Sequence, residues 1–174
     1  MARRRVLPLI AGGVMLVGCA PGGLGADWKK VEPPVPAPGF TLPQLDAAQS
    51  VALSALRGRV VVMEFWATWC GPCRFSLPSL EAIRRKYRDR GVTILLINQG
   101  ETPQAVRQWA GTRFTAPILL DEDARVGARY QVRSIPRLFV VDRQGRLRWA
   151  HAGYGGGLER NLSLVLDELL GTDS

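Results

Sequence analysis

Two cysteines separated by two residues offer the clearest reactive chemistry in this sequence. Cys70 and Cys73 lie in EFWATWCGPCRFSLP, residues 64–78, with Gly71 and Pro72 between them. At the N-terminus of a helix, unpaired backbone N–H groups and the helix dipole stabilise a thiolate, which is the nucleophilic form of cysteine. Three residues along the helix, a second thiol lies on the same face and can attack a mixed disulfide on the first. The spacing favours a redox couple in which Cys70 attacks and Cys73 resolves.

Other uses of the thiol pair remain open from the residues alone. A structural zinc site needs about four ligands, usually Cys or His. The chain has one further cysteine, Cys19, and one histidine, His151. A purely structural disulfide across so short a loop would constrain little of the unfolded chain. Copper(I) accepts soft thiolates, but no Met or His cluster accompanies the pair. We therefore expect no metal and no cofactor at this site.

The segments around the cysteines predict the elements that position them. VVVMEFW, residues 60–66, is apolar and β-branched almost throughout, as in a strand buried on both faces. A helical apolar pattern follows Cys70, and VTILLIN, residues 92–98, indicates a second buried strand. Thr102 caps a further helix, and a hairpin around RQG, residues 143–145, precedes a closing amphipathic helix.

The order of these elements predicts an α/β fold. Alternating strands and helices indicate a central sheet with helices on both faces, and the late hairpin makes that sheet mixed. Residues 39–59 suggest two short strands with a turn at 46–50, which is an N-terminal β-hairpin extension. We expect a single domain over residues 39–172.

The first 18 residues have the pattern of an export signal. Three arginines precede the apolar run VLPLIAGGVMLV, residues 6–17, which is too short for a spanning helix of about 20 residues. LVGC, residues 16–19, resembles a bacterial lipobox, which implies cleavage before Cys19 and lipidation of its thiol. The alternative is an ordinary signal cleaved near residues 25–26. Either signal would export the protein from the cytoplasm to a compartment where disulfides persist.

Composition predicts a tether near the N-terminus and excludes nucleic acid as a partner. Residues 19–38 are rich in Pro and Gly and predict a semi-extended tether that holds an anchored domain off the membrane. The formal net charge is +8, and loss of the three leader arginines lowers it to +5. The chain has no basic stripe with interleaved aromatics and no nucleic-acid motif. The charge indicates solvated surface, with weak attraction to anionic lipid as the alternative.

Two motifs carry a family resemblance. FWATWCGPC, residues 65–73, followed by SIPRLFVVDRQG, residues 134–145, resembles the thioredoxin superfamily. APGFTLPQLD, LRGRVVVMEFWATWCGPCR and LLDEDARVGARYQVRSIP narrow the resemblance to the TlpA/ResA-like branch of exported, membrane-tethered thiol-disulfide oxidoreductases. The helix and strand predicted over residues 102–120 form a central insert, as in that branch. The resemblance covers about residues 36–170 and implies a thioredoxin-like fold.

The resemblance also implies roles for particular residues. Cys70 and Cys73 match the redox pair, and Pro136 matches the cis-proline that faces the disulfide in this superfamily. A cis bond would expose the backbone of Ile135 to an extended substrate peptide. A trans proline that enters an edge strand is the alternative. The remaining positions assigned to the substrate site are Trp69, Gly71, Pro72 and Gly153.

Glu64 is the only charge in the strand at residues 60–66 and matches the buried acid of thioredoxin. Burial raises the pKa of a carboxyl, which suits a base that takes the proton of Cys73. An outward-pointing Glu64 at a sheet edge is the alternative. Ser76 stands where the branch usually has Glu, and Arg137 replaces the polar residue that often follows the cis-proline. Both departures are expected to favour the thiolate and a more oxidising couple, whereas the Gly-Pro dipeptide resembles that of reducing thioredoxins.

The sequence thus predicts an extracytoplasmic, lipid-anchored enzyme that reduces protein disulfides, in the periplasm or on the outer face of the cell membrane. Its expected partners are disulfide-containing proteins and a membrane electron-donor thiol protein, and the resemblance suggests apocytochrome c as one substrate. The alternatives are a copper-delivery protein and a thiol peroxidase. APGFTLP also resembles the start of peroxiredoxin-like chains, although Ala67 stands where the peroxidatic motif has Thr. We expect His151 to be exposed and not catalytic.

Overall fold

The computed structural model describes residue 24 and residues 27–155 and 157–171, so the predicted signal segment and Cys19 lie outside the described residues. The strands are β1 Trp28–Pro36, β2 Thr41–Pro43, β3 Ser50–Ala52, β4 Val60–Trp66, β5 Val92–Gln99, β6 Ile118–Asp121, β7 Arg137–Val141 and β8 Arg146–Ala152. The α-helices are α1 Cys73–Tyr87, α2 Pro103–Ala110, α3 Arg125–Arg129 and α4 Leu158–Gly171. Short 3-10 turns cover Leu53–Leu56 and Arg88–Arg90.

Six strands form the central sheet, in the order β1-β8-β7-β4-β5-β6. Strands β4, β5 and β6 are parallel, while β7 runs antiparallel to β4 and to β8, and β1 runs antiparallel to β8. The sheet is therefore mixed, as predicted. All seven residues of β4 are buried, because this central strand is covered on both faces.

The helices cover both faces of the sheet unequally. The crossovers from β4 to β5 and from β5 to β6 proceed in the same direction, and right-handed crossovers place α1 and α2 on the same face. Helix α4 packs in the same cluster, whereas α3 and the β2–β3 hairpin cover the opposite face. Side chains alternate along β4, so Val62 and Trp66 lie on the α1 face and Met63 and Phe65 on the α3 face.

The two predicted additions to the sheet are confirmed. Strands β2 and β3 pair antiparallel with Leu42 opposite Val51, which is the expected N-terminal hairpin. Helix α2 and strand β6 form the central insert. Thr102 caps α2 by accepting a hydrogen bond from the backbone N–H of Ala105 at 3.4 Å, and Pro103 is the first helical residue.

The predicted tether is wrong where it overlaps β1. Trp28–Pro36 is an edge strand of the sheet and pairs with β8. Trp28 is buried and its ring stacks on His151, with the centroids 4.7 Å apart. Prolines are tolerated because this is an edge strand whose register shifts between Lys30 and Val35. The folded part of the chain therefore begins at or before Trp28.

No helix in the described part of the chain is long and apolar enough to cross a membrane.

Candidate active site

The two motif cysteines form a disulfide at the start of α1. The Sγ atoms of Cys70 and Cys73 are 2.00 Å apart, and Pro72 is the N-cap of the helix. The backbone N–H of Cys73 donates a hydrogen bond to Cys70 Sγ at 3.2 Å. Cys70 retains 4% of its surface and Cys73 none. An N–H donor at the helix start therefore faces the sulfur of the more accessible cysteine.

A half-buried polar cluster holds the loop that precedes Cys70. The Glu101 carboxylate accepts hydrogen bonds from the backbone N–H of Thr68 at 2.7 Å and from its hydroxyl at 2.5 Å. It also accepts one from Nδ2 of Asn98 at 2.7 Å. The cluster links the ends of β4 and β5, so it fixes the direction in which the chain enters the motif. Sequence reasoning missed Glu101. The feature that could have identified it is its place as an acidic residue just after a buried strand, at the edge where the C-terminal ends of two adjacent parallel strands meet.

Two of the residues assigned to the substrate site, Trp69 and Ile135, line an open cavity, and Trp69 is the chain neighbour of Cys70. Trp69 is 71% exposed, and Gly71 and Pro72 are also exposed. Trp69 and Ile135 line one cavity of about 390 Å³. The structure therefore brings together residues 66 positions apart in the sequence, on the side of the molecule where Cys70 reaches the surface.

The loop before β7 has the geometry that the resemblance implied. The Ile135–Pro136 peptide bond is cis, so the trans alternative is wrong. The backbone N–H of Gly153 donates a hydrogen bond to the Pro136 carbonyl at 2.9 Å. Gly153 has a φ of +79°, a conformation that favours glycine, and it ties the end of β8 to the proline loop.

Glu64 lies beneath the first turn of α1. It is 1% exposed, so the outward-pointing alternative is wrong. The Ser76 hydroxyl lies 2.6 Å from Glu64 Oε1 and 3.3 Å from the Cys73 carbonyl oxygen. Burial raises the pKa of Glu64 to about 8, and the hydrogen bond from Ser76 opposes part of this shift. Ser76 is thus the direct partner of Glu64, a contact that the sequence reasoning missed.

Arg137 does not face the thiols as expected. It pairs with Phe65 of β4, whose side chain lies on the α3 face of the sheet. Its guanidinium lies over the Phe139 ring, 5.3 Å from the centroid. Because Arg137 follows Pro136 by one residue in a strand, the alternation of side chains turns it away from the α1 face. The predicted positive charge at the disulfide is therefore wrong.

His151 is buried, contrary to expectation. It lies on β8 between Leu138 of β7 and Trp28 of β1, and burial lowers the pKa of its imidazole. The sequence placed it in a hairpin strand but gave no sign of β1, which covers it.

Exposed aromatic side chains continue the surface around the disulfide. Phe75 in the first turn of α1 stacks with Tyr154 just beyond β8, with centroids 5.8 Å apart, and both rings are exposed. The sequence analysis assigned Phe75 no role. The feature that could have identified Phe75 is its residue type. An aromatic residue stands two positions after Cys73, where the exposed surface of a helix usually carries a polar residue.

A redox disulfide at a helix start, a cis-proline loop and a mixed sheet with a central helix–strand insert define a thioredoxin-like thiol-disulfide oxidoreductase. Comparison with known proteins agrees: the family model named Redoxin matches residues 33–163. The chain belongs to this family and is a TlpA/ResA-like member of the thioredoxin superfamily.

Individual relatives span most of the chain. The thioredoxin-like protein YneN of Bacillus subtilis is 32% identical over 161 residues, covering 88% of this chain and 94% of YneN. The thiol-disulfide oxidoreductase ResA of Bacillus anthracis is 30% identical over 128 residues, which is 72% of each protein. A putative thiol:disulfide interchange protein DsbE from Chlorobium tepidum is similar in structure, with a TM-score of 0.74 and 30% identity over 82% of this chain and 99% of that one.

Proposed function

We propose that this oxidoreductase reduces protein disulfides outside the cytoplasm. In its dithiol form, the Cys70 thiolate attacks one sulfur of a substrate disulfide. The substrate S–S bond breaks, one substrate thiolate leaves, and Cys70 is joined to the other sulfur. Cys73 then attacks Cys70 Sγ and releases the second substrate thiolate. Two electrons pass to the substrate, and the protein is left with the Cys70–Cys73 disulfide.

The single observation that carries the order of attack is the hydrogen bond from the Cys73 N–H to Cys70 Sγ. A donor at that sulfur stabilises negative charge on it, so the hydrogen bond favours Cys70 as the attacking thiolate. Cys70 is also the thiol with exposed surface, whereas Cys73 has none. The accessible, stabilised Cys70 thiolate therefore attacks first, and the buried Cys73 thiol reacts only after the mixed disulfide has formed.

Glu64 supplies the base for the second step. Cys73 must lose its proton before it can attack Cys70, and no solvent reaches it directly. Glu64 lies on the same face of the sheet as α1, and a carboxyl with a pKa of about 8 exchanges protons near neutral pH. When Glu64 is ionised, the Ser76 hydroxyl donates to it at 2.6 Å; when Glu64 holds the proton, that hydroxyl is free to donate to the Cys73 carbonyl. Ser76 therefore accommodates both states of the acid.

Substrate peptides would bind in the cavity between Trp69 and Ile135. An extended segment there can pair with the Ile135 backbone, while Trp69 offers an exposed aromatic face. Gly71 and Pro72 leave the approach to Cys70 free of bulky side chains. The Gly153 contact with Pro136 holds the loop that carries Ile135 in place.

The N-terminal motifs support a cellular setting outside the cytoplasm. The export signal over residues 1–18 and a lipidated Cys19 would anchor the domain outside the cytoplasm. A membrane thiol protein would then restore the dithiol after each turnover. Cytochrome c maturation is one process that needs such a reductase, because haem attachment requires reduced cysteines in the apoprotein.

Trapping with single-cysteine variants tests the proposed chemistry. Cys73→Ser should accumulate a mixed disulfide through Cys70 when mixed with a disulfide protein such as insulin, whereas Cys70→Ser should not. A Cys19→Ala background removes the third thiol and serves as the matched control. Insulin reduction with dithiothreitol should require both cysteines. Mixed disulfides that form through Cys73 instead would overturn the order of attack.

The anchor is tested separately from the chemistry. Labelling of expressing cells with a radioactive fatty acid should mark the wild-type chain and not Cys19→Ala, and membrane fractionation should follow the label. Equal labelling of the two chains would refute lipidation at Cys19 and leave the redox assignment untouched.

A further inference from the structure

A second cavity lies on the α3 face of the sheet, opposite to the face that carries α1. Its volume is about 550 Å³, within the range of small-molecule sites. The cavity exists because β1 leaves its register with β8 between Lys30 and Val35, so the edge strand arches away from the sheet surface. Neither the proposed dithiol chemistry nor the substrate groove uses this space.

The floor of the cavity is apolar and aromatic. Phe139 and Tyr130 pack with ring centroids 5.1 Å apart, and Leu147 and Ala150 complete the floor. The Tyr130 hydroxyl donates to the Pro38 carbonyl at 2.8 Å, which fixes the orientation of its ring. The two rings are at most 5% exposed, so the floor offers their edges together with Leu147 as an apolar contact for a flat ligand.

The rim of the cavity is cationic. Lys29, Arg129 and Arg137 line it, and none of the three has an ion-pair partner in the described part of the chain. Lys30 also lines the cavity, but Glu32, the one acid there, pairs with it at 2.8 Å. The uncompensated charge of this cavity is therefore positive.

Arg137 gives the cavity one hydrogen-bond donor that has no acceptor in the described structure. Its Nε is buried and has no hydrogen-bond partner among the residues that the structure describes. The guanidinium lies over Phe139 at 5.3 Å, so its position is set by the floor. A buried donor without an acceptor is unfavourable, and an anionic oxygen held by the guanidinium would remove that penalty.

We propose that this cavity binds a small organic anion with a flat aromatic body and a carboxylate group. The Arg137 guanidinium already covers the Phe139 ring, so the aromatic body lies against Leu147 and the edges of the floor rings. The carboxylate accepts hydrogen bonds from Arg137 with support from Lys29 and Arg129. An inorganic anion alone would leave the apolar floor uncovered, and a neutral aromatic compound would leave the Arg137 donor unmet. Both parts of the ligand are needed for binding.

The test uses 1-pyrenebutyrate as the probe and its neutral analogue 1-pyrenebutanol as the matched compound. Titration of the oxidised full-length protein, followed by pyrene fluorescence anisotropy, should give saturable 1:1 binding of pyrenebutyrate. Pyrenebutanol and acetate should each bind at least about 10-fold more weakly. Amide shifts in NMR spectra should move at Lys29, Arg137 and Ala150 and stay fixed at Trp69.

Variants assign the binding to this cavity. Arg137→Met keeps the side-chain length and should weaken pyrenebutyrate binding at least about 10-fold, as judged against Arg85→Met, an exposed arginine on α1. Arg129→Met serves if Arg137→Met fails to fold, which circular dichroism reports. Equal affinity for pyrenebutyrate and pyrenebutanol, unchanged binding by the variants, non-saturable binding, or shifts confined to Trp69 would each overturn the proposal.

Discussion

Two buried glutamates, Glu64 of β4 and Glu81 of α1, have very different surroundings. Glu81, in the middle of α1, is 6% exposed and accepts hydrogen bonds from the backbone N–H groups of Thr115 and Ala116 at 2.9 and 2.6 Å. The Thr115 hydroxyl adds a third bond at 2.8 Å. Glu64, beneath the first turn, is 1% exposed and has one hydroxyl partner, Ser76.

The number and kind of hydrogen-bond donors distinguish the structural Glu81 from Glu64, the acid that we propose as a base. Two backbone N–H groups and one hydroxyl satisfy the Glu81 carboxyl, which fastens α1 to the loop before β6. Glu64 has no backbone donor in the described structure, and its burial raises its pKa to about 8. An acid that is poorly supplied with donors is a weak structural element, but it is ready to accept and release a proton near neutral pH.

The largest expected effect is on the pH dependence of the free energy of unfolding. The carboxyl of Glu64 has a pKa of 4.5 when unfolded and about 8 when folded. As pH rises from about 4.5 to about 8, the unfolded chain loses this proton first, so the free energy of unfolding should fall, by an amount on the order of 5 kcal/mol. Glu64→Gln should lack this decline and be more stable than wild type at pH 8. Urea unfolding at pH 5 and pH 8 measures it; parallel pH dependences in the two proteins would contradict the assignment.

The next effect concerns rate. Glu64→Gln should slow the resolution of a Cys70 mixed disulfide about 100-fold at pH 8, because Cys73 loses its base. Stopped-flow measurement of thiolate release from a preformed mixed disulfide isolates this step. Glu81→Gln, the matched control, should change the rate less than about 2-fold, since Glu81 contacts no reacting atom. Similar rate losses in both variants would erase the distinction between the two acids.

Glu81→Gln should instead lower the free energy of unfolding by about 2 kcal/mol, because an amide replaces charge-assisted bonds to two backbone N–H groups with weaker ones. Chemical denaturation at pH 7 provides the measurement. Glu122→Gln, at an exposed position, should change stability by less than about 0.5 kcal/mol. A Glu81 variant as stable as the Glu122 variant would mean that the loop contact is not structural.

The smallest expected effect belongs to Ser76. Ser76→Ala removes the hydrogen bond that lowers the pKa of Glu64, so that pKa should rise further. The pH–rate profile for resolution should then move to higher pH by about 1 unit, with a several-fold loss of rate at pH 7. Ser54→Ala, at an exposed position, should leave the profile in place. A uniform loss of rate with an unmoved profile would indicate packing at Ser76 and no effect on Glu64.

Much of the fold was predictable from the sequence because the patterns that indicate its elements are local. The apolar run of β4, the cysteine spacing, the Thr102 cap and the turn between β7 and β8 each depend on neighbouring residues, and each prediction is confirmed. The burial of Glu64 also follows from its place in a strand that is covered on both faces.

The rest depended on contacts that sequence patterns do not reveal. The prolines of residues 33–36 argued against a strand, and only the shifted register on an edge strand accommodates them. That missing strand is also why His151 was expected to be exposed. The face of the sheet on which Arg137 lies depends on which face of β7 is turned toward α1. The Ser76–Glu64 hydrogen bond joins a helix to a strand 12 residues away in the sequence.

The reduction potential of the Cys70–Cys73 pair, measured by equilibration in defined thiol redox buffers, tests the proposed reductase most directly. Arg137 lies on the opposite face of the sheet, so it does not stabilise the thiolates, and the Gly71–Pro72 dipeptide resembles that of reducing thioredoxins. We predict a value near roughly −270 mV, the range of thioredoxin. A value near roughly −120 mV would contradict the reductase and indicate an enzyme that oxidises its substrates.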